Sequence, residues 1–296
     1  MINAYIRGYH ATNDTPKIFD DFLAHQLLTE EEHKSFDQLL LYYLRSFNAE
    51  SASSFPDQAA ALAWMIQDMA ASRITLSRAS YTEESLEKAV NEGVHQYVIL
   101  GAGFDTYAFR HQEIIGKLQI FEVDHPATQA FKRQRIVDLG WAFPPNLTFV
   151  PIDFTKDSLA KVLTRSSYDP HAKSFFSWMG VTYYLPREAV FATLRTIADI
   201  SPTGNAVIFD YLDTDAFIPE KAHPRVQGLL RSVQQEGEPM KAGFNPVTLA
   251  EDLAPLGLRL KENLSPSDIE GRFFMGRKDG YHACEHANFA HLVVEK

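Results

Sequence analysis

The sequence predicts an α/β fold, a doubly wound and mostly parallel sheet preceded by a helical amino-terminal section. From Tyr97 onward, short apolar runs alternate with helical patterns, as parallel strands joined by crossover helices do. The run Tyr97-Val-Ile-Leu100 shows no polar alternation and passes directly into Gly101-Ala-Gly103, which reads as a strand buried on both faces and ending in a tight turn. The last two expected strands have no long helix between them, which fits an antiparallel hairpin closing the sheet.

The elements follow in order. Residues from about Lys17 to Val90 read as helical. Phe36, Leu39, Leu40, Tyr43, Leu44 and Phe47 recur at three- and four-residue spacing and make one apolar stripe. A second helix covers Ser54 to Met69, with Pro56 near its start and Leu62, Met65, Ile66 and Met69 along it. A third opens at Thr82-Glu-Glu-Ser85 and stops at Gly93. Strands are expected over 97–101, 118–123, 147–152, 173–178 and 205–211, and helices over 126–139, 155–163, 186–199 and 246–256. Arg272-Phe-Phe-Met-Gly276 and Asn288–Val294 read as the closing strands. The sequence thus divides into a helical cap, 1–93, and a sheet domain, 94–296, with an inserted helix or lid near 214–240, a stretch rich in charge, Pro and Gly.

A chain of 296 residues with 45% hydrophobic and 22% charged residues is an ordinary globular one. The formal net charge of −10 disfavours nucleic acid and anionic membrane as partners, because both reward clustered Lys and Arg. A single cysteine, Cys284, excludes an internal disulfide framework, and a cytoplasmic location is expected. No stretch approaches the ~20 apolar residues a bilayer-spanning helix needs.

In an open parallel sheet, ligands bind beyond the carboxyl ends of the strands. Gly101 and Gly103 leave no Cβ between backbone and ligand there, and Asp105 or Thr106 can cap the helix that follows. Asp124 ends the next strand, 21 positions after Gly103, where a carboxylate accepts hydrogen bonds from ribose hydroxyls. The plainer readings are a tight turn and a helix-capping acid. Thr106 stands where a third glycine would complete a dinucleotide fingerprint, which weakens the alternative of a nicotinamide-dependent oxidoreductase. At the third strand end, Asp153 and Phe154 suit an adenine amino group and ring, or Asp153 and Thr155 cap a helix. Trp178, Met179, Tyr183 and Tyr184 end the fourth strand and line a substrate pocket or fill core.

Gln96 to Arg110 with its Gly-Ala-Gly-Phe-Asp-Thr turn, Phe121-Glu-Val-Asp-His-Pro126 followed by Gln129 and Lys132, Val150-Pro-Ile-Asp153, and Phe176-Ser-Trp-Met-Gly-Val-Thr-Tyr-Tyr-Leu-Pro186 together resemble the leucine carboxyl methyltransferase family. The nearer likeness is to its bacterial branch of S-adenosylmethionine-dependent O-methyltransferases, often found beside secondary-metabolite genes. The resemblance spans about Ala70 to Asp210. It implies the class I methyltransferase (Rossmann-like) fold, a seven-stranded sheet with helices on both faces and an antiparallel last hairpin. It implies S-adenosyl-L-methionine as cofactor and a small-molecule methyl acceptor. Gly101 and Gly103 would lie under the methionine part, Asp124 would hold the ribose, and Asp153 and Phe154 would meet the adenine. Arg78 would grip the carboxylate, with Arg73 as a rival. Met179 stands where the leucine carboxyl enzymes carry Glu, and Ala79 and Ser80 where many relatives carry Thr and Arg. These departures bear on a protein-phosphatase substrate rather than on the cofactor.

Methyl transfer from a sulfonium needs alignment and exclusion of water. A carboxylate acceptor is ionised at neutral pH and needs no base, whereas a hydroxyl wants one. His125, Tyr184, Asp210 and Tyr211, all near strand ends, are the candidates. A cofactor-binding protein without catalysis is the third reading. His282, Cys284, His286 and His291 supply metal-type ligands, as do Asp210, Asp213 and Asp215, but a strand connection and a solvated acidic loop account for them, and no metal is expected.

Overall fold

The computed structural model describes residues 1–47, 54–154 and 156–295. Seven strands, β1 (Gln96–Leu100), β2 (Gln119–Asp124), β3 (Leu147–Pro151), β4 (Ser174–Trp178), β5 (Ala206–Leu212), β6 (Leu258–Leu264) and β7 (Ala287–Val294), form one sheet in the order β3-β2-β1-β4-β5-β7-β6. β1 to β5 are parallel, and β7 runs antiparallel to both its neighbours. The chain works outward from β1 to β3 and then crosses to β4, so the topological switch lies between β1 and β4.

The largely apolar character of the central strands follows from burial on both faces, since every residue of β1, β4 and β5 is buried. The period of two sorts their side chains into two layers. Val98, Leu100, Phe121, Phe176, Val207 and Phe209 face one core, and Tyr97, Ile99, Ile120, Phe175 and Ile208 face the other.

The longer helices are α1 (Ile2–Asn13), α2 (Glu30–Phe47), α3 (Gln58–Asp68), α4 (Ala70–Asn91), α5 (Pro126–Asp138), α6 (Leu159–Thr164), α7 (Arg187–Ile200) and α8 (Pro224–Gln235). α6 and α7 cover the first core, through Leu159, Leu163, Val190, Leu194 and Ile197. Ala4, Tyr5 and Ile6 of α1 and Leu76, Tyr81 and Leu86 of α4 join the second, so the amino-terminal helices share a core with the sheet. Residues 214–240 hold α8 and a 3-10 turn, Thr214–Phe217.

Several expectations are corrected. On α2, Leu40 and Leu44 are buried but Leu39 is 40% exposed; the Phe47 side chain lies outside the described residues. α3 starts at Gln58, because Asp57 accepts a hydrogen bond from the Ala60 N–H at 2.8 Å and caps it. Thr82 starts no helix. It lies inside the 22-residue α4, with its hydroxyl donating to the Arg78 carbonyl at 2.7 Å, because the buried stripe Ala70, Ile74, Arg78, Tyr81, Ser85, Ala89 runs through it without a break. The expected 155–163 helix begins at Leu159, and Thr155 lies outside the described residues. The expected 246–256 helix shrinks to Leu249–Leu253 and a 3-10 turn. Arg272–Gly276 is not a strand: Glu270–Phe274 is a π-helical turn continuing a short helix that Ser265 and Asp268 cap reciprocally. The edge strand is β6, whose alternation Leu258, Leu260, Glu262 against Arg259, Lys261, Asn263 is a strand pattern in the sequence.

Glu122 on β2 and Lys132 on α5 are both buried and pair at 2.5 Å, while Glu122 Oε1 has no partner. Burial, opposed by Lys132 and reinforced by Asp105 and Asp124, pushes the Glu122 carboxyl up to about 7. Lys132→Met leaves that carboxylate alone and is expected to cost about 3–5 kcal/mol at pH 8. The folded pKa lies above the unfolded one, so the loss shrinks as the medium is acidified and the group takes up its proton. Denaturant melts at pH 8 and pH 5 check this, and a loss independent of pH would exclude the pairing as its cause.

His291 on β7 stands edge-on to Phe175, with ring centroids 6.3 Å apart. Burial, with Lys261 and Lys88 adding to it and Glu262 opposing, pushes its pKa down to about 4. The folded value lies below that of the unfolded chain. The stabilisation by the neutral ring is therefore complete above pH ~6.5 and lost as pH falls through about 4. Between pH 7 and 4, His291→Phe is expected to lose about 3 kcal/mol less unfolding free energy than the parent. Parallel pH curves in urea melts would refute it.

Candidate functional site

A cleft of about 240 Å³ opens at the carboxyl ends of β1 and β4, at the switch point. Its floor is the turn from Gly101 to Asp105, and Met179 and Gly180 close the β4 side. Arg78, Thr82 and Glu83 of α4 and Arg7 of α1 supply walls.

The turn needs its glycines for two different reasons. Gly101 has φ +72, and a Cβ there would lie 2.4 Å from Val181 Cγ2. Gly103 has φ +51, and nothing lies within 4 Å of the position a Cβ would take. The backbone at Gly103 therefore stands bare toward open space. Asp124 accepts from the Gly103 N–H through Oδ2 and from the His125 N–H at 2.6 Å through Oδ1. Asp105 Oδ1 accepts from the Tyr107 N–H at 2.8 Å, just ahead of the short helix Tyr107–Arg110, whose N-cap residue Thr106 makes no side-chain cap bond.

Arg78 reaches the cleft from α4, while Arg73 does not. Arg73 donates to the Gln67 and Gly280 carbonyls and pairs with Asp68 at 3.1 Å. Arg78 Nη1 donates to Tyr183 Oη at 2.8 Å and to Asp210 Oδ2 at 2.9 Å. Asp210 Oδ1 accepts from the Gly180 N–H at 2.6 Å. A Cβ on Gly180 would lie 2.6–2.9 Å from the guanidinium atoms, so the Arg78 head group rests directly on the Gly180 backbone. Burial alone would lower the Arg78 pKa, but Tyr183 and Asp210 outweigh it and raise it. Burial raises the Tyr183 phenol well above its ordinary value.

The other nominated residues scatter. Met179 lines the cleft. Trp178 is fully buried in the core and stacks on Phe154 at 6.3 Å. Asp153 lies at the β3 end and pairs with Lys156 at 2.7 Å. Tyr184 is half-buried, and burial pushes its phenol up to about 12. His125 is exposed at the start of α5, where its Nδ1 accepts from the Ala127 N–H at 3.3 Å. Tyr211 faces the opposite core from Asp210 and donates to Asn263 Oδ1 at 2.9 Å. His282 meets Glu270 at 3.2 Å, His286 meets Asp213 at 2.9 Å, and the Cys284 thiol lies against the Glu285 carbonyl at 3.4 Å, so the three take separate partners. Asp215 pairs with Lys221 at 3.0 Å.

A second group of charges escaped the sequence reading. Arg7 donates to Asp21 at 2.8 Å and to the Phe104 carbonyl at 2.7 Å. Thr106, in the place of the missing glycine, donates to Asp21 at 2.7 Å and accepts from Arg110 at 2.9 Å. Asp21 is 1% exposed, and although burial works against it, Arg7 and Arg110 hold its carboxyl below the usual range. This network fastens the amino-terminal helices to the glycine turn.

A family model described as leucine carboxyl methyltransferase matches residues 1–198. Protein YktD of Bacillus subtilis, assigned by inference as an S-adenosyl-L-methionine-dependent methyltransferase, is 39% identical over 99% of this chain and 96% of its own. A Mycolicibacterium smegmatis protein assigned the same way is 28% identical over 75% of this chain and 67% of its own. Two crystal structures share the architecture. A methyltransferase of Thermobifida fusca YX, also assigned by inference, superposes with a TM-score of 0.58 at 15% identity over 92% of each chain. A DUF574 family protein from Streptomyces avermitilis gives 0.57 at 15% identity, over 87% of this chain and 96% of its own. At such identities the likeness is one of fold, the seven-stranded and mostly parallel sheet of the class I methyltransferases.

Proposed function

The chain belongs to the leucine carboxyl methyltransferase family, and we propose that it moves the methyl group of S-adenosyl-L-methionine to a carboxylate oxygen of a small molecule. The carrying observation is the bare backbone at Gly103, at φ +51 with open space before it, at the switch point of a parallel sheet. When bound, S-adenosyl-L-methionine supplies a methyl made electrophilic by its sulfonium.

The residues present fit that group. Gly101 and Gly103 would lie beneath its methionine part. Asp124 would take the ribose hydroxyls, since two backbone N–H groups leave about half of a carboxylate's lone-pair sites free. Asp153 and Phe154 would meet the adenine from the β3 end. Arg78 would hold the amino-acid carboxylate. Met179 would form the pocket wall, with Trp178, Tyr183 and Tyr184 behind it. In this reading residues 1–93 act as a cap, 94–296 bind the cofactor, and 214–240 serve as lid.

The fate of the four candidate bases supports a carboxylate acceptor over a hydroxyl. Asp210 is committed to Arg78 and Gly180, Tyr211 faces the far core, and His125 caps α5 in solvent. Tyr184, with a pKa of about 12, holds its proton at neutral pH. An acceptor already ionised asks only for alignment and a dry site. In this reading the walls from α1 and α4 would supply both.

Calorimetric titration is expected to show binding of S-adenosyl-L-methionine and of S-adenosylhomocysteine at one site; no heat and no competition would reject the reading. Gly103→Ala puts a methyl into the cleft and is expected to weaken both about tenfold or more, at a stability cost of about 1–2 kcal/mol. Labelled methyl carried to an acceptor pool should leave as methanol in mild base. A base-stable label would point to a hydroxyl, and binding without any transfer to a non-catalytic role.

A further inference from the structure

We propose that Asp210 is a positioning residue, which holds the Arg78 guanidinium so that its free edge is presented to the cofactor's amino-acid carboxylate. The inference rests on the role given to Arg78 above.

A guanidinium has five N–H donors, and the two on Nη1 are used inside the protein, on Tyr183 Oη and Asp210 Oδ2. Nε and Nη2 remain. They form the side that grips a carboxylate in a two-pronged fork, and the hydrogen bonds of Arg78 to described residues all leave from Nη1. Asp210 sets this edge in three ways. Its Oδ2 holds Nη1 and also accepts from Tyr183 Oη at 3.3 Å. Its Oδ1 holds the Gly180 N–H, which brings the Gly180 backbone under the guanidinium plane. Its carbonyl accepts from Thr182 Oγ1 at 2.5 Å and ties the loop after β4 to β5. Asp210 is 1% exposed, so its charge is compensated by these donors and cannot turn to solvent. A free arginine side chain carries about 2 kcal/mol of rotamer entropy. Arg78 has lost that freedom before any ligand arrives, so binding need not supply the cost.

The test compares two probes, S-adenosylhomocysteine, which has the carboxylate, and 5′-methylthioadenosine, which lacks the amino-acid part. For Asp210→Asn, affinity for S-adenosylhomocysteine is expected to fall about tenfold or more, while 5′-methylthioadenosine changes by less than about twofold. Arg78→Met should show the same selectivity, and Asp210→Asn should add nothing on top of it. If Asp210→Asn does not fold, Tyr183→Phe carries the test, because it removes one hydroxyl from the same triangle; Gly180→Ala, which pushes the guanidinium off its seat, should give the same selective loss. Equal weakening of both probes, or an undiminished effect of Asp210→Asn in the Arg78→Met background, would overturn the proposal. A parent protein that binds neither probe would instead overturn the cofactor reading.

Discussion

The two left-handed glycines at the tip of β1 decide where the rest of the cleft can be. They turn the chain back within three residues of the strand end and leave the Gly103 backbone uncovered. Asp124 can then reach across from β2 to the Gly103 N–H, and Val181 can close in behind Gly101. Because β1 sits at the switch point, the connection after it packs on one face (Tyr107, Phe109) and that after β4 on the other (Val190, Leu194), and the gap left between them is the cleft. A side chain at Gly101 would oppose both the backbone angle and Val181, and one at Gly103 would oppose the backbone angle and stand in the cleft.

Around that turn every buried charge is answered by another. Asp21 takes Arg7 and Arg110, Asp210 takes Arg78, and Glu122 takes Lys132. Such pairs give little net stability, because desolvation consumes most of the Coulomb gain. Their effect here is geometric. Two of them join elements distant in sequence, Asp21 to the Thr106 turn across 85 residues and Asp210 to α4 across 132, and the third fixes α5 on β2. Breaking one would leave a lone charge in a low-dielectric site.

The parts of this molecule legible in sequence are those whose signal is local. The largely apolar runs of β1, β4 and β5 stand within a residue or two of their expected places, because burial on both faces leaves no room for regular polar alternation. β6 alternates plainly, yet Phe273 and Phe274 drew the strand assignment away from it; their propensity yields to a capped helix start that tertiary packing continues as a π turn. The same divide runs through the site. Gly101, Gly103 and Asp124 lie in one stretch of chain and converge as their spacing implies. Gly180, Asp21 and Arg7 carry no local pattern, since their partners come from other layers of the fold. Asp210 was visible as an acid at a strand end, but whether it serves as base or counter-ion depends on Arg78, 132 residues away.

That last distinction bears on how the site divides its labour. If the acceptor arrives ionised, the protein has no proton to remove, and no side chain facing the acceptor needs a fixed chemical identity. The constraints then concentrate on the cofactor side, at the glycine turn, Asp124 and the Arg78 seat, where small displacements spoil alignment. The acceptor side is free to vary in shape. The cleft walls on that side are α1 and Met179; the 214–240 segment packs Val226, Leu229 and Leu230 of α8 near Tyr184 and Leu212 and pairs Arg225 with Glu285 at 2.7 Å. On the proposed reading, one cofactor seat would serve many acids, with selection left to the cover.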